Sequence, residues 1–190
     1  MVDSNTETHP WEPFIPPGAK ILIMGTFPPG KHRWSMDFYY PNKTNDFWFM
    51  MGLIFFDDKY ELYDRTEGKF KLDEIKALLT EKGIALHDTC HVIRRLKGNA
   101  SDKFLEIVQP TDIGALLERM PYCRAIATTG EKAAGVVAEY TSTSVPKMGE
   151  FVEWKEGFEI WRMPSTSRAF PLRLERKAEF YRRMFDKILG

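Results

Sequence analysis

The sequence predicts an α/β fold, specifically a three-layer α/β/α sandwich whose central sheet is short and mainly parallel. Short apolar segments that resemble buried strands recur at residues 20–25, 84–86 and 124–129. Segments with helical spacing lie between and after them, and strands that alternate with helices are typical of a parallel sheet covered on both faces. At 190 residues, with 43% hydrophobic content, the chain is expected to form one domain over residues 1–190.

The elements of the first half follow in a regular order. Residues 1–19 are expected to be an irregular lead-in, because prolines and a glycine punctuate them. The strand at 20–25 is apolar and is stopped by glycine and proline. The apolar segment FWFMMGLIFF predicts a buried helix that begins near Asn45. A helix at 72–82, ended by a glycine, then leads into the short strand at 84–86.

The second half continues the alternation. An amphipathic helix is predicted at 111–120, followed by the strand at 124–129 and a helix from about Glu131. Aromatic and β-branched residues on both sides of a Glu-Gly pair predict a hairpin within 151–163. A long helix from about residue 172 to 189 completes the expected fold.

The composition excludes several functional classes. No apolar segment approaches the roughly 20 residues that a membrane helix needs, and the polar, acidic amino terminus does not resemble a secretion signal. We therefore expect a cytoplasmic protein without a membrane partner. Cys90 and Cys123 form no CxxC pair and are too few for an iron–sulfur cluster, so no cofactor is expected.

The distribution of charge bears on nucleic-acid binding. The formal net charge is zero, which argues against binding through an overall positive surface. Residues 162–190 nevertheless contain eight Lys or Arg against three Asp or Glu, which is compatible with a local basic face. Such a run is also typical of an ordinary solvated helix face.

Four loops follow predicted strands, at residues 25–30, 87–89, 128–130 and 163–168. Because parallel strands end at one edge of the sheet, where ligands bind in open α/β folds, we expect these loops to border one cleft. The last loop, MPSTSR, is rich in small hydroxyls, which together with backbone N–H groups can hold phosphate oxygens. Its other interpretation is a plain turn before the final helix.

The motifs GTFPPG, YYPNKTNDFW, GIALHD and MPSTSRA occur in this order, between about Lys20 and Phe185. In this combination the sequence resembles the uracil-DNA glycosylase superfamily. It is most similar to the branch that contains the hypoxanthine-DNA glycosylases, beside the mismatch-specific uracil-DNA glycosylases. The resemblance implies hydrolysis of the N-glycosidic bond of a deaminated base in base excision repair. It also implies DNA as partner, base flipping, a monomer, and neither metal nor cofactor.

The resemblance assigns roles to residues of the second motif. Tyr40 matches an aromatic side chain that stacks on the flipped base, and packing against neighbouring aromatic rings is its other interpretation. Asn45 matches the asparagine that this branch uses to position or activate water. It is also a favoured residue just before a helix, where it caps the first turn. Asn42 either hydrogen-bonds the base or sugar or belongs to a turn.

Other positions of the resemblance concern the base. The loop 25–30, with Gly25 and Phe27, would supply backbone contacts to it. Many superfamily members have Asp or Asn where this chain has Phe27, and Phe27 cannot position water. Thr129 stands where relatives often have an asparagine that reads the base. Met163 stands where uracil enzymes have a histidine that supports the leaving anion, which argues against a fast, uracil-specific enzyme.

The motif GIALHD ends in two residues, His87 and Asp88, that could take part in catalysis. His87 can offer a proton to a leaving purine, and Asp88 can stabilise positive charge on the sugar. A hydrogen-bonded structural pair is the alternative. His87 and His91, together with Cys90, could also suggest metal ligands. No third ligand has convincing spacing, and we expect no metal.

The resemblance implies that the last loop binds DNA. Arg168 stands where related enzymes insert a side chain into the hole left by the flipped base, and it can instead hold a phosphate. The preceding residues of the loop would contact the DNA backbone, namely Pro164, Ser165, Thr166 and Ser167.

The leading hypothesis is a monofunctional DNA glycosylase, because these loops offer no obvious lysine nucleophile for a lyase step. Two alternatives stay open. The first is a weak or inactive relative that binds DNA or a nucleobase. The second is an unrelated α/β enzyme that binds a nucleotide, which is disfavoured because no Walker or G-x-G-x-x-G pattern follows any strand.

Overall fold

The computed structural model describes residues 5–97 and 101–190. The central sheet has five strands in the spatial order β5-β2-β8-β10-β9. Numbered in chain order, they are β2 (Ile21–Gly25), β5 (Ile84–Asp88), β8 (Ala125–Thr129), β9 (Glu150–Lys155) and β10 (Phe158–Met163). The α/β fold class is confirmed, and the sheet is mixed.

The register of the strands brings their carboxyl ends together. β2 runs parallel to β5 and β8, and β10 runs parallel to β8. Gly25 lies opposite Asp88, and Thr129 lies opposite Met163. Only β9, joined to β10 by the predicted hairpin, is antiparallel to its neighbour. The four loops expected to meet at one edge therefore follow strands that end side by side.

Five helices accompany the sheet in the described ranges: α1 (Phe47–Phe56), α2 (Leu72–Lys82), α3 (Ile113–Glu118), α4 (Glu131–Thr141) and α5 (Leu174–Leu189). Side chains of a strand point alternately to opposite faces. Ile21 and Ile23 of β2 accordingly belong to one core cluster, which contains buried residues of α1, α2 and α5. Leu22 and Met24 belong to a second cluster, with buried residues of α3 and α4.

The helix ends explain most differences from the predicted bounds. α1 begins at Phe47, two residues after Asn45, because the Asn45 side chain holds the turn before it: Oδ1 accepts from the Phe47 N–H at 2.9 Å. Asp112 is the N-cap residue of α3, and its side chain accepts from the Ala115 N–H at 2.9 Å. Among the described residues, no helix combines the length and the apolar character required to cross a membrane.

The expectation of an irregular lead-in is wrong for part of residues 5–19. The strand β1 (Thr6–Thr8) joins β6 (Cys90–Arg95) and β7 (Leu105–Pro110) in an antiparallel sheet, which the sequence did not indicate. Phe14 also pairs with Leu86 of β5 through two backbone hydrogen bonds of 3.0 and 2.9 Å. A three-residue strand whose partner lies more than 80 residues away has no periodicity of its own. A short hairpin, β3 (Tyr63–Asp64) and β4 (Lys69–Phe70), lies between α1 and α2.

Candidate active site

A cavity of about 690 Å³ opens at the carboxyl edge of the central sheet. Its volume falls within the range of roughly 300–1,000 Å³ that is usual for small-molecule sites. All four strand-end loops contribute to its wall, as does the segment that leads into α1. The residues of the predicted site that line it are Gly25, Phe27, Tyr40, Asn42, Asn45, Asp88, Thr129, Ser165, Thr166, Ser167 and Arg168.

Gly25 lies where three polar groups converge. A Cβ atom at this position would lie 2.7 Å from Asp88 Oδ1, 3.3 Å from the Tyr40 hydroxyl and 3.4 Å from Thr129 Oγ1. A contact of 2.7 Å is too short for a Cβ atom, so any other residue here would displace the Asp88 carboxylate. The glycine therefore lets a carboxylate, a phenol and a hydroxyl share one corner of the cavity.

Asp88 is held in place by a residue from the amino-terminal segment. Its Oδ2 lies 2.8 Å from His9 Nε2, and both side chains are buried. The His9 ring also packs edge-on against Phe27, with ring centroids 5.4 Å apart. Sequence reasoning missed His9, because 79 residues separate it from Asp88 and no motif surrounds it.

His87 does not reach the cavity, contrary to the prediction that the His87–Asp88 pair faces it. Successive side chains of a strand point to opposite faces, so only Asp88 faces the ligand space. The His87 ring is buried, with Nδ1 2.7 Å from the Tyr39 hydroxyl. Burial, with a smaller effect of nearby His9, lowers the pKa of His87 to about 4. Near neutral pH the His87 ring is therefore uncharged, and its hydrogen bond with Tyr39 gives it a structural role.

Tyr40 has an unusual backbone conformation and two aromatic contacts. Its φ of 52° lies in the left-handed region, which costs a residue with a side chain on the order of 1 kcal/mol. The ring stacks on Phe47, with centroids 3.8 Å apart and planes within 11°, and its edge contacts Trp48. The hydroxyl lies 3.2 Å from Thr129 Oγ1, and burial raises the Tyr40 pKa well above its usual range. One ring face is thus occupied by Phe47 while the residue lines the cavity.

The two asparagines combine local hydrogen bonds with positions in the cavity wall. Asn42 Oδ1 accepts from the N–H and the hydroxyl of Thr44, at 3.0 and 2.9 Å, so the turn interpretation holds for its carbonyl. Asn45 is not the N-cap of α1, which is Asp46; its Oδ1 instead holds the turn just before the helix, through the bond to the Phe47 N–H. An amide side chain has a second lone pair and two N–H donors besides. Both residues therefore keep donors that a ligand can use.

The Pro-Ser-Thr-Ser loop is partly a self-stabilised turn. Ser165 Oγ accepts from the Ser167 N–H at 3.2 Å, and Ser167 Oγ accepts from the Ala169 N–H at 3.2 Å. Pro164 lies behind the cavity wall, and its carbonyl accepts from the Tyr181 hydroxyl at 2.8 Å. The two serine hydroxyls still have their own hydrogens to donate.

A buried ionic cluster fixes this loop to the start of α1. Asp46 Oδ1 accepts from Arg168 Nε at 2.9 Å, and Oδ2 accepts from Lys177 Nζ at 3.0 Å. Lys177 also donates to the Ser167 carbonyl at 2.8 Å, and the Asp46 N–H donates to the Thr166 carbonyl at 2.8 Å. The cluster therefore sets the position of Arg168 and of the loop relative to neighbouring Asn45.

Asp102 is a second acid of the cavity that sequence reasoning missed. Its Oδ2 accepts from the Thr26 hydroxyl at 2.8 Å, and its backbone carbonyl accepts from Lys132 Nζ at 2.7 Å. Burial raises the pKa of the Asp102 carboxyl above its ordinary value. It stands just before β7, in a stretch for which no element was predicted.

The two departures from the resemblance occupy different environments. Phe27 lines the cavity and packs against His9, whereas Met163 is fully buried in the core. Among the described residues, no three His, Cys, Asp or Glu side chains are grouped as metal ligands would be.

Comparisons with known proteins concern the fold. No family model and no curated protein matches the sequence. The fold matches a solution NMR structure of a "putative Uracil DNA glycosylase" from Methanosarcina acetivorans, with a TM-score of 0.64 and 21% sequence identity. The match covers 94% of this chain and 98% of that chain. The two proteins therefore share a fold over nearly their whole lengths.

Proposed function

We propose that this protein is a monofunctional DNA glycosylase that hydrolyses the N-glycosidic bond of a deaminated base, of the uracil or hypoxanthine type, in base excision repair. The observation that carries the proposal is the convergence of Tyr40, Asn45 and Asp88 on one cavity at the carboxyl edge of the sheet. The fold match to a protein described as a glycosylase is consistent with it.

The base would lie against the face of Tyr40 that Phe47 does not cover. Stacking on an aromatic ring and hydrogen bonds to the base edge are how such enzymes hold an extruded nucleotide. The hydroxyls of Tyr40 and Thr129, 3.2 Å apart, and the backbone beside Gly25 supply polar groups in the same corner. The left-handed backbone of Tyr40 fits a residue held in place for binding, since such strain is concentrated at functional sites.

The chemical step needs a placed water and stabilisation of charge. In the proposed reaction Asn45 orients the water that attacks the anomeric carbon of the sugar, and the electron pair of the breaking bond leaves with the base. The Asp88 carboxylate stabilises positive charge on the sugar and accepts the proton of the attacking water. Asp102 lines the same cavity, and because burial favours the protonated form of its carboxyl by raising the pKa, it is the group proposed to give a proton to the departing base.

The DNA strand would cross the loop 164–168. Backbone N–H groups and the hydroxyls of Ser165 and Ser167 can bind a phosphate, and Arg168 adds positive charge. No lysine of the described residues lines this cavity, which supports a hydrolytic enzyme without the amine required for a lyase step.

We also infer a three-layer arrangement of the single unit formed by this chain. The two core clusters on opposite sides of β2 support it, because different helices contribute to each. A role in DNA or nucleobase binding without catalysis is the second candidate. Phe27 favours it, since a phenyl ring stands in the cavity wall where many relatives place a water-binding side chain.

Base release from end-labelled duplexes tests the proposal. Duplexes that carry uracil, hypoxanthine or xanthine are incubated with the wild type and with Asn45→Ala, and alkali cleaves any abasic product. Because the Asn45 side chain also stabilises the start of α1, Asp112→Ala is the control: it removes a side-chain hydrogen bond from the start of α3, outside the cavity. Each loses about 1 kcal/mol of stability.

Activity lost in Asn45→Ala and kept in Asp112→Ala supports the water-positioning role. Equal losses in both variants would mean that Asn45 only stabilises the start of α1. If the wild type releases none of the three bases at high enzyme concentration, catalysis is refuted and the binding role is favoured.

A further inference from the structure

A second cavity, of about 480 Å³, lies next to the proposed active site and has no part in the function described so far. It shares Thr44 and Arg168 with the first cavity, so the two adjoin along the segment that leads into α1. Arg168, at the boundary between the two cavities, donates to Asp46, which also accepts from Lys177.

Apolar and aromatic side chains form much of the second cavity. Phe49 of α1 is buried, and it contacts Tyr63 and Tyr60 with ring centroids 5.2 and 6.1 Å apart. Leu174, at the start of α5, lies beside them. Tyr60 and Tyr63 are only half-buried, and Arg65 Cζ lies 4.6 Å from the centre of the Tyr60 ring, so a base that stacks there would have to use the remaining ring surface or displace the Arg65 side chain.

The charged groups of the second cavity are mostly cationic. Lys43, Lys59 and Arg168 line it, against a single acid, Asp46. Asp46 is already paired with Arg168 and with Lys177, at 2.9 and 3.0 Å. Lys59 Nζ lies 5.1 Å from the centre of the Tyr60 ring. A ligand therefore meets an aromatic surface and unneutralised lysines in the same place.

We propose that this second cavity binds the nucleotide that neighbours the extruded one, with its base against Tyr60 and its phosphate between Lys43, Lys59 and Arg168. The proposal rests on the function proposed above, since the first cavity must hold the extruded nucleotide. Aromatic rings that take bases and cations that take the backbone are the general means of binding single strands. Because the two cavities adjoin at Thr44 and Arg168, neighbouring nucleotides of one strand can occupy both.

Binding to an abasic oligonucleotide tests the proposal separately from catalysis. The probe is a dye-labelled single strand with a tetrahydrofuran abasic analogue at its centre, and fluorescence anisotropy gives Kd as a function of salt. Two further probes end at the abasic position, one lacking all nucleotides on the 5′ side and one lacking those on the 3′ side. Thermal unfolding confirms that each variant is folded.

The variants are Lys59→Gln and Tyr60→Leu, with Lys155→Gln as control. Lys155 also lies over an aromatic ring, with Nζ 3.9 Å from the centre of Trp154, but it is in β9 and lines neither cavity. Loss of one phosphate contact is expected to reduce the salt slope of a single strand by about 0.7. Loss of one stacked base is expected to weaken binding roughly 5- to 100-fold.

The proposal predicts that Lys59→Gln and Tyr60→Leu weaken binding of the full probe and of one truncated probe, and have no effect on the other. Wild-type affinity in both variants would overturn it, as would an equal loss with all three probes or an equal loss in Lys155→Gln. If the wild type releases no base but this pattern is found, the proposed catalysis is refuted and the nucleotide-binding role of the second cavity is supported. If base release occurs without the pattern, only the second cavity is refuted.

Discussion

Replacing Lys177 by methionine should strongly destabilise the protein. The Lys177 side chain is 0% exposed and that of Asp46 is 11% exposed, so the pair is shielded from water. In Lys177→Met, Asp46 keeps only Arg168, whose side chain is 52% exposed and therefore compensates weakly. Removing one partner of a buried ion pair costs about 3–5 kcal/mol. For a chain of this length that corresponds to a fall in Tm of roughly 6–20 °C.

Urea unfolding at 25 °C and thermal unfolding measure the effect. Lys82→Met is the matched control: Lys82 pairs with exposed Glu81, and an exposed pair contributes at most about 1 kcal/mol. The double variant Asp46→Asn, Lys177→Met removes the unpaired charge and should recover part of the lost stability. A loss below about 1 kcal/mol in Lys177→Met, or no recovery in the double variant, would refute the buried-pair reasoning.

Three further changes test the cavity. Gly25→Ala should abolish base release in a folded protein, because its Cβ would lie 2.7 Å from Asp88 Oδ1; Gly135→Ala, a helix position with no atom within 4 Å, should keep full activity. Burial lowers the His87 pKa from the ordinary 6.5 to about 4, so the unfolded chain binds more protons between these values. Stability should therefore fall by about 3 kcal/mol as pH falls from 6.5 to 4, and urea titrations should show a flatter dependence in His87→Gln. Burial raises the pKa of the Asp102 carboxyl, so the folded chain binds this proton more tightly than the unfolded chain, and wild-type stability should fall as pH rises above the ordinary carboxyl pKa; urea titrations of Asp102→Asn should lack this fall, and an identical pH dependence or unchanged base release would each contradict the role given to Asp102.

The sequence predicted those parts of the fold that carry a local pattern. The helix at residues 72–82 has the observed bounds, because its spacing and its terminal glycine both act within a few residues. The hairpin of β9 and β10 was predicted from its flanking aromatic residues and its Glu-Gly turn, and the antiparallel pairing of the two strands confirms it. The small sheet of β1, β6 and β7 could not be predicted in this way. Its strands are assembled by pairing between distant segments, as the register of Thr6 with Arg94 illustrates.

The residues of the candidate site also differ in whether a local sequence pattern could predict them. Loops that follow strands could be placed at one edge because parallel strands impose it, and eleven of the predicted residues line the cavity there. The residues that hold those side chains were missed. His9, Lys177 and Asp102 act on groups far from them in sequence, and a lone histidine in a lead-in or a lysine in an amphipathic helix carries no sign of its partner.

The bond between His9 and Asp88 also determines when the site is complete. His9 precedes its partner Asp88 by 79 residues, and the amino-terminal arm formed by β1 and His9 pairs with β6, which lies later still along the chain. The acid of the cavity thus receives its support only after the amino-terminal arm has docked on strands made after it. Cleavage between His9 and β2 should therefore leave the central sheet and its cavity in place but Asp88 without its hydrogen-bond partner, so the protein would lose its activity while it keeps most of its fold.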